Sequence, residues 1–364
     1  MALTLPFLNK AATKKKRSQV ISVDLGSRTT KAVLLERRGD GLTLTRYALL
    51  EAPIYDKKIS PEQLGDHLHT VVDTLGGTTK YICVAMGIND TIVRQVELPQ
   101  IPLDDMRTVL KMNHKAYLQQ ELPNHTFDCY VIPPRAQNGA APKPSGTSGS
   151  PAKKLNVLVA AAKQQLIADF MQATSSNGLQ PDTLVPSLVG PINAFEAALP
   201  EIYGKETVAL VDIGFRHSSI CILDRGELVL NRVVNLGGDQ FTAGLAEARG
   251  GIPYAEAEGI KVGMPGEVES ELQTQIMPLG QEIRAMVNFF EHQQDRPVSQ
   301  VYVSGGTARS DAIVQMLQAE TMVECKRWNP TSFLQLALPS QQAAEIEHIS
   351  PQLAVAVGTA LTSY

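Results

Sequence analysis

The stretch Val20-Ile-Ser-Val-Asp-Leu-Gly-Ser-Arg-Thr-Thr-Lys-Ala-Val-Leu-Leu35 joins two apolar runs through a short polar segment that contains one carboxylate and one glycine. The runs predict two buried strands, and Gly26 permits a tight turn between them. Asp24 would close the first strand at the mouth of that turn. An anion could be held there by the amides and hydroxyls of Ser27, Thr29 and Thr30. An ordinary hairpin has the same pattern, so this stretch alone leaves both interpretations open.

The same pattern recurs in the second half of the chain. Residues 208–223, VALVDIGFRHSSICIL, repeat the order of strand, Asp, Gly, Arg, hydroxyl residues and strand, with Asp212 and Gly214 in the equivalent places. A turn signal follows each copy, at residues 37–41 and 224–226, and a third strand follows each turn. The repeat therefore predicts two related halves, each of which opens with three consecutive strands.

Composition places the chain among globular proteins with more than one core. Its 364 residues are 43% hydrophobic and carry a formal net charge of -4, which gives no general attraction to nucleic acid. The 4 cysteines form no C-x-x-C pair, which predicts free thiols in a reducing cytoplasm and no structural metal. Since no run of about eighteen apolar residues occurs, the sequence predicts no membrane span.

The first 19 residues predict a flexible segment. Their apolar side chains come first, at Leu3, Leu5, Phe7 and Leu8. A basic cluster, Lys14-Lys-Lys-Arg17, follows, and this order is the reverse of a secretory signal. The alternative to a flexible tail is a peripheral anchor, with the apolar tip at the lipid boundary and the basic cluster near anionic headgroups.

Between the two repeats, periodicity predicts alternating helices and strands. Residues 133–154 are rich in Pro, Gly, Ser, Ala and Lys, which predicts a mobile loop. The strand predicted after this loop, at 155–162, could pair with the one before it, at 126–132, so the loop lies inside a domain. The predicted organisation is a flexible segment at 1–19, a first subdomain at 20–80, an inserted small subdomain at 81–162, a return and linker at 163–203, and a second half at 204–364.

Three further motifs follow in the second half. The glycines at 237–238 precede a predicted helix, where they would let phosphates or a ribose approach closely, although a plain turn has the same pattern. Glu258 and Lys261 lie three residues apart on one helix face, within reach of each other or of one ligand, and a surface ion pair is the simpler interpretation. The glycines at 305–306 end a buried strand and predict a floor for a flat ring.

Together these motifs resemble the superfold shared by actin, sugar kinases and heat-shock chaperone ATPases. Within it the chain is similar to the PilM family, actin-like cytoplasmic proteins of type IV pilus assembly that are themselves similar to FtsA. The likeness runs from Val20 to Tyr364 and includes stretches outside the nucleotide motifs, at 92–99, 122–130, 157–163, 177–181 and 328–330. It implies an α/β, actin-like (duplicated ribonuclease H-like) ATPase fold, with two halves around a nucleotide cleft and a small α+β insertion.

The resemblance also implies that the cleft binds ATP or ADP with Mg²⁺. Asp24 and Asp212 would face the ion, mostly through its waters. The phosphate loops would comprise Gly26, Ser27, Arg28, Thr29, Thr30, Gly214 and Ser218, with Lys31 as a further member unless its side chain points away from the cleft. The remaining motifs would border the sugar and phosphates (Gly237, Gly238), the ribose and adenine (Glu258, Lys261) and the ring (Gly305, Gly306, Arg309), with the Arg309 guanidinium stacked on the base.

One departure from the superfold bears on catalysis. Chaperone relatives carry a carboxylate on the strand that leads into the second half, and it helps to position the attacking water. Here the segment is Leu184-Val-Pro-Ser187, and Val185 stands in that place. Because valine cannot orient water or accept a proton, the sequence predicts at most a slow ATPase with no assignable catalytic residue.

For partners, the resemblance implies that the small subdomain receives the cytoplasmic tail of a PilN-like inner-membrane protein, which would hold the chain at the inner face of that membrane. The alternating strand at 92–98 offers an edge for such a tail. Nucleotide would close the two halves and tune tail binding. Self-association is also possible. Two alternatives are an FtsA-like filament former at the division membrane and a metabolic kinase of the superfold, for which no catalytic aspartate is found.

Overall fold

The computed structural model describes residues 3–5, 7, 17–53, 59–133 and 154–364. Its strands are β1 (Gln19–Leu25), β2 (Thr29–Arg38), β3 (Gly41–Glu51), β4 (Tyr81–Met86), β5 (Thr91–Pro99), β6 (His125–Val131), β7 (Lys154–Lys163), β8 (Gln180–Pro186), β9 (Thr207–Ile213), β10 (Ser218–Asp224), β11 (Glu227–Val234), β12 (Gln300–Ser304), β13 (Cys325–Arg327) and β14 (Gln335–Leu336). Its helices are α1 (Pro61–Leu75), α2 (Leu103–Leu118), α3 (Gln164–Ser176), α4 (Val189–Ala198), α5 (Pro200–Lys205), α6 (Gly238–Ala248), α7 (Tyr254–Gly263), α8 (Glu269–Gln294), α9 (Asp311–Thr321), α10 (Ser340–Ile349) and α11 (Ala354–Ala360). The predicted loop at 133–154 lies almost wholly outside the described residues.

The first half is built on a six-stranded sheet of order β14-β3-β2-β1-β4-β8. β1 and β2 form the predicted hairpin, in which Asp24 lies opposite Lys31. β4 then runs parallel to β1 on its other side. β1 and β4 are continuous apolar runs because both faces of a central parallel strand are covered.

The second half repeats this arrangement in a five-stranded sheet of order β11-β10-β9-β12-β13. β9 and β10 form the second hairpin, and β12 runs parallel to β9 with Ser304 beside Asp212. Asp24 and Asp212 thus occupy equivalent places, each one residue before the end of a central strand. The duplicated fold that the sequence predicts is confirmed.

A third sheet, of order β5-β7-β6, carries helix α2. β7 pairs antiparallel with β6, so the strands on either side of the 133–154 segment pair as the sequence predicts. β5 pairs with β7 along one edge only. The sequence predicts that the insertion starts at Tyr81, but β4 pairs with β1 and β8 in the large sheet and the small sheet starts at Thr91. The reason is the repeat itself, since β4 is the counterpart of β12.

Helices α4 and α11 pack closely against each other between the two large sheets. A Cβ atom on Gly358 would lie 1.7 Å from the carbonyl oxygen of Gly190, and one on Gly190 would lie 2.6 Å from that of Val355. Only glycine at both positions allows this approach. α11 contacts β1 and β4, while α4 contacts β8 and β9. The helix pair therefore links the two halves and fixes the sides of the cleft between them.

The N-terminal segment differs from the flexible tail that the sequence predicts. Leu3, Leu5 and Phe7 are buried, Leu5 completely. The Leu3 amide donates to Asn193 Oδ1 over 2.7 Å, and the Phe7 amide donates to the Leu184 carbonyl over 3.0 Å. These three side chains belong to the first core, so they are not available to a lipid surface as the anchor interpretation requires. Residues 8–16, with most of the basic cluster, lie outside the described residues.

Among the described residues, every helix is too short or too polar to cross a membrane. The four cysteines, Cys83, Cys129, Cys221 and Cys325, are buried free thiols.

Candidate functional site

A cleft of about 610 Å³ opens between the two large sheets, where the hairpin turns of β1–β2 and β9–β10 face each other. This volume is in the range of sites that bind small molecules. Most of the predicted nucleotide and metal residues line it: Asp24, Gly26, Ser27, Arg28, Thr29, Lys31, Asp212, Gly214, Gly238, Glu258, Lys261, Gly306 and Arg309. Thr30, Ser218, Gly237 and Gly305 do not line it.

In the first turn, Lys31 points into the cleft. Its Nζ lies 3.1 Å from Asp24 Oδ2, so the alternative that this strand residue faces away is wrong. A Cβ atom on Gly26 would lie 2.5 Å from both Lys31 Nζ and the Thr29 carbonyl oxygen, which requires glycine here. Thr30 is buried instead, with its hydroxyl 2.7 Å from Nε2 of His67, whose pKa is lowered by burial. It supports the turn from behind the cleft.

In the second turn, Asp212 is the group with the most altered acidity. Burial raises its pKa to about 6, a hydrogen bond from the Ser304 hydroxyl opposes the rise, and the charge on Asp24 adds to it. Ser304 Oγ lies 2.9 Å from Asp212 Oδ1. Ser218, in contrast, donates its hydroxyl to the Leu236 carbonyl over 2.6 Å and serves the sheet. The charges of the two aspartates repel each other across the cleft, as those of two carboxylates around one cation would.

The Glu258 and Lys261 motif forms a partly buried polar network, which replaces the interpretation as a surface ion pair. Lys261 Nζ contacts Glu258 Oε2 at 2.7 Å, Thr242 Oγ1 at 2.6 Å and the Gly238 carbonyl at 3.0 Å. Burial lowers the pKa of Lys261. Burial alone would raise the pKa of Glu258, but hydrogen bonds from Lys261 and Thr242 bring it below the ordinary value. The network holds both side chains at the cleft wall.

The last motif forms another part of the cleft wall. Gly305 has φ +95°, and a Cβ atom there would lie 2.3 Å from the Ile213 carbonyl oxygen, so glycine is required beside the second turn. Arg309 follows in a short turn, Thr307–Arg309, and burial lowers the pKa of its guanidinium. Its Nε is buried without a hydrogen-bond partner among the described residues.

Two more buried polar atoms at the cleft, Ser187 Oγ and Gln352 Nε2, also have no hydrogen-bond partner among the described residues. Buried polar groups are normally satisfied, and exceptions call for a bound water, ion or ligand. Together with Arg309 Nε, they indicate that this cleft fits a polar ligand. The chemistry of its carboxylates fits magnesium, which is bound by few carboxylates and completes its shell with water and phosphate oxygens. The described residues contain no larger cluster of metal-ligating side chains.

The sequence missed two links between separate parts of the chain at this site. Asn89 lies in the turn between β4 and β5, and its Nδ2 atom is 2.7 Å from the Nε2 atom of His217 in the second hairpin turn. Arg28 reaches from the first hairpin turn to Glu258 on α7, at 2.9 Å. Its guanidinium also lies 5.1 Å from the centre of the Phe215 ring. Of the residues in these two contacts, only His217 has a position in the sequence, three residues after Gly214 in the second turn, that could have indicated a role at the cleft.

Val185, which the resemblance places where chaperones carry a carboxylate, is fully buried on β8 and does not line the cleft. Its neighbour Ser187 does line the cleft. A hydroxyl group can hold a water molecule, but it is a poor general base at neutral pH. This strand thus brings no group suited to accepting a proton from water.

Comparison with known proteins places these features in a family. The family model described as type IV pilus assembly protein PilM matches residues 22–364. The solved structure of a PilM-PilN type IV pilus biogenesis complex has a TM-score of 0.79 at 20% identity, covering 96% of this chain and 99% of that one. The ethanolamine utilization protein EutJ from Carboxydothermus hydrogenoformans has a TM-score of 0.52 at 17% identity, over 96% and 92%.

A third structure, MreB5 of Spiroplasma citri bound to AMPPNP, has a TM-score of 0.51 at 11% identity, over 95% of this chain and 96% of that one. At these identities the likeness shows the fold alone. These neighbours confirm the actin-like ATPase fold that the resemblance implies.

Proposed function

Because the chain belongs to the PilM family of type IV pilus assembly proteins, we propose that it is an adaptor of pilus assembly that binds ATP or ADP with Mg²⁺ in its cleft. The observation that carries the proposal is the pair of D-x-G turns that face each other across a cleft of about 610 Å³. Three buried polar atoms at this cleft have no hydrogen-bond partner within the described part of the chain, which supports a polar ligand. The AMPPNP bound to the MreB5 relative supports a nucleotide as its class.

In this proposal each half holds part of the nucleotide. Asp24 and Asp212 would hold the magnesium ion, which would supply positive charge against the phosphates. The turn amides around Gly26 and Gly214 donate to phosphate oxygens. On the second half, Glu258 meets the ribose hydroxyls, and Lys261 and the Arg309 guanidinium lie beside the base. Lys31 neutralises part of the phosphate charge from within the first turn.

Hydrolysis is expected to be slow. Attack on the γ-phosphate requires a residue that orients water, and Val185 offers an apolar, fully buried side chain in that place. Any acceleration would come from the positive charge and donors already fixed around the phosphates. The nucleotide acts mainly as a ligand that sets the arrangement of the two halves.

The partner in this proposal is the cytoplasmic tail of a PilN-like membrane protein, and the PilM-PilN complex supports this class of partner. The small subdomain would receive the tail. β5 supports this placement, since it is an outer strand of the small sheet and presents backbone groups to an extended peptide. Binding to the tail would keep the protein in the cytoplasm at the inner face of the membrane.

Nucleotide binding and tail binding would be coupled through contacts that cross the cleft. Asn89 precedes β5 of the small sheet and contacts His217 in the second turn, 2.7 Å away. Gln95 on β5 donates to Glu227 on β11 over 3.2 Å. A nucleotide that moves the second half would therefore move the side chains against which β5 rests.

The test is equilibrium binding of a fluorescent PilN-type tail peptide to the full chain with Mg·ATP, with Mg·ADP and with EDTA. The proposal predicts different affinities in the three conditions. A matched control is Asn89→Ala, which removes the contact with His217 and should reduce the difference between conditions while retaining tail binding. Equal tail affinity in all three conditions for the unaltered chain contradicts the coupling.

A further inference from the structure

The N-terminal segment lies in a groove at the edge of the first sheet. β8 is the last strand of the six-stranded sheet, and the Phe7 amide donates to the carbonyl of Leu184 on this strand over 3.0 Å. Leu3, Leu5 and Phe7 are buried, whereas Thr4 is exposed. Burial at alternate positions is the pattern of an extended chain with one face on a protein surface. Leu3, Thr4, Leu5 and Phe7 therefore cover part of the edge of β8.

The groove contains a buried side chain that binds this segment through its backbone. Asn193 on α4 is 1% exposed. Its Oδ1 accepts from the Leu3 amide at 2.7 Å, and its Nδ2 donates to the Leu3 carbonyl at 3.1 Å and to the Gly358 carbonyl at 3.4 Å. A side-chain amide that pairs with both backbone groups of one residue selects an extended backbone, whatever side chain that residue carries. The apolar floor adds a preference for large aliphatic or aromatic side chains.

The chain also returns to the same strand after the segment. Arg17 pairs with Asp182 on β8 at 2.8 Å, and its guanidinium lies 3.6 Å from the centre of the Tyr81 ring. Phe7 is thus covalently linked, ten residues along the sequence, to a residue that is fixed on the same strand. A tether of this length keeps the segment at a high effective concentration, even when its intrinsic affinity for the groove is low.

The groove lies beside the small sheet. β5 contacts β8, the strand whose Leu184 carbonyl accepts the hydrogen bond from the Phe7 amide. An extended peptide that approaches the edge of β5 would therefore approach the occupied edge of β8 as well. The chemistry of the groove fits one kind of partner, an extended terminal segment with apolar side chains at alternate positions.

We propose that Leu3, Thr4, Leu5 and Phe7 are a built-in competitor of the partner tail: they occupy the β8 groove in cis, and a tail that binds along β5 extends into this groove by displacing them. The inference rests on the proposed function, because the competing ligand is the tail of the membrane partner. It assigns the N-terminal apolar residues a regulatory role, in which tail binding requires release of the segment. The tail's apparent affinity is then reduced by the fraction of molecules whose groove is filled.

The first experiment measures the affinity of the groove for a peptide that has the chain's own N-terminal sequence. A fluorescent peptide with the sequence of residues 1–9 is titrated into the unaltered full chain, into Leu5→Asp and into Thr4→Asp. Leu5→Asp should expel the segment, because its carboxylate would replace a fully buried leucine. Thr4→Asp adds the same charge at the exposed neighbouring position and is the matched control. We expect Leu5→Asp to bind the peptide about tenfold more tightly than the other two proteins.

A second variant keeps this test decisive. Adding Asn193→Ala to Leu5→Asp removes the amide that holds the peptide backbone, so peptide binding should fall about tenfold again. Circular dichroism and thermal unfolding establish that each variant is folded. The proposal is overturned by equal peptide binding to Leu5→Asp and Thr4→Asp, or by binding that is unaffected by Asn193→Ala.

The partner tail is then titrated into the same three proteins. Tighter binding of a PilN-type tail peptide to Leu5→Asp than to Thr4→Asp, by about tenfold, supports displacement. Equal tail binding to the three proteins overturns the competitor role and leaves the proposed function standing. Failure of the tail to bind any of the three overturns the proposed partner together with this inference.

Discussion

Replacing Asp212 by Asn should stabilise the nucleotide-free protein, although this residue is assigned to the metal. Burial raises the pKa of Asp212 to about 6, from an ordinary value of 3.8. Its ionised form is therefore less favourable in the folded chain than in the unfolded one. Asparagine removes the charge and can still accept the hydrogen bond from the Ser304 hydroxyl, which spans 2.9 Å.

The magnitude follows from the two pKa values. The interval from 3.8 to about 6 corresponds to about 3 kcal/mol of lost folding free energy once the carboxylate is ionised in both states. Asp212 is partly open to the cleft, where water and ions relieve some of this cost, so we expect a gain of about 1–3 kcal/mol for Asp212→Asn.

The pH dependence gives the prediction its sign. Below pH 3.8 the carboxyl is protonated in both states, so it contributes no difference. As pH rises from 3.8 to about 6, the unfolded chain loses this proton first, and the unaltered protein loses stability relative to Asp212→Asn. Above about pH 6 the difference is complete and constant. A bound cation would offset this cost in folding free energy, because it would neutralise the carboxylate.

The assay is urea unfolding of the full chain in EDTA at several pH values between 4 and 8, on the order of one measurement per pH unit. Ser304→Ala is the matched control, because loss of its hydrogen bond should raise the pKa of Asp212 further and reduce stability above pH 6. The reasoning is refuted if Asp212→Asn and the unaltered chain are equally stable at pH 7.5, or if their difference in stability is the same at every pH.

Two further substitutions test the remaining motifs. Gly305→Ala should destabilise the protein by about 2–4 kcal/mol in urea unfolding, because φ is +95° and the new Cβ would lie 2.3 Å from the Ile213 carbonyl oxygen. In the control, Gly266→Ala, the new Cβ has no atom within 4 Å, so stability should change by less than about 0.5 kcal/mol. Equal effects of the two substitutions would contradict the role of Gly305. Arg309→Met should weaken Mg·ATP binding about tenfold in calorimetric titration without lowering stability, because it removes a half-buried guanidinium whose buried Nε has no partner among the described residues. Unchanged affinity would exclude Arg309 from the site.

The parts of the fold that the sequence predicts best are those in which neighbouring residues determine the structure. The turns at Gly26 and Gly214 leave no room for a Cβ, so each turn specifies its own glycine. The pairing of β6 with β7 is also predictable, because the two strands flank one segment rich in Pro, Gly and Ser. In each case the physical constraint lies within a short stretch of chain.

Contacts between distant parts of the chain were not predictable in this way. The sequence predicts that β4 belongs to the insertion, because its parallel pairing with β1 forms across a helix and leaves no local pattern. The pattern of Leu3, Leu5 and Phe7 is the same whether the segment is a free tail or lies in a groove. The contacts with Asn193 and with the edge of β8 distinguish the two cases, and they appear only in the structure. The contact between Arg28 and Glu258 spans 230 residues. Such pairs depend on how the two halves are placed.

The most direct test of the central claim is calorimetric titration of the full chain with Mg·ATP, compared with Asp24→Ala and with ATP in EDTA. Asp24 lies at the mouth of the first turn, 3.1 Å from Lys31, and its loss should leave the hairpin folded. The account predicts saturable binding of one nucleotide by the unaltered chain, and loss of this binding both in Asp24→Ala and without magnesium. No binding by the unaltered chain at millimolar ATP, or equal binding by Asp24→Ala, would contradict it.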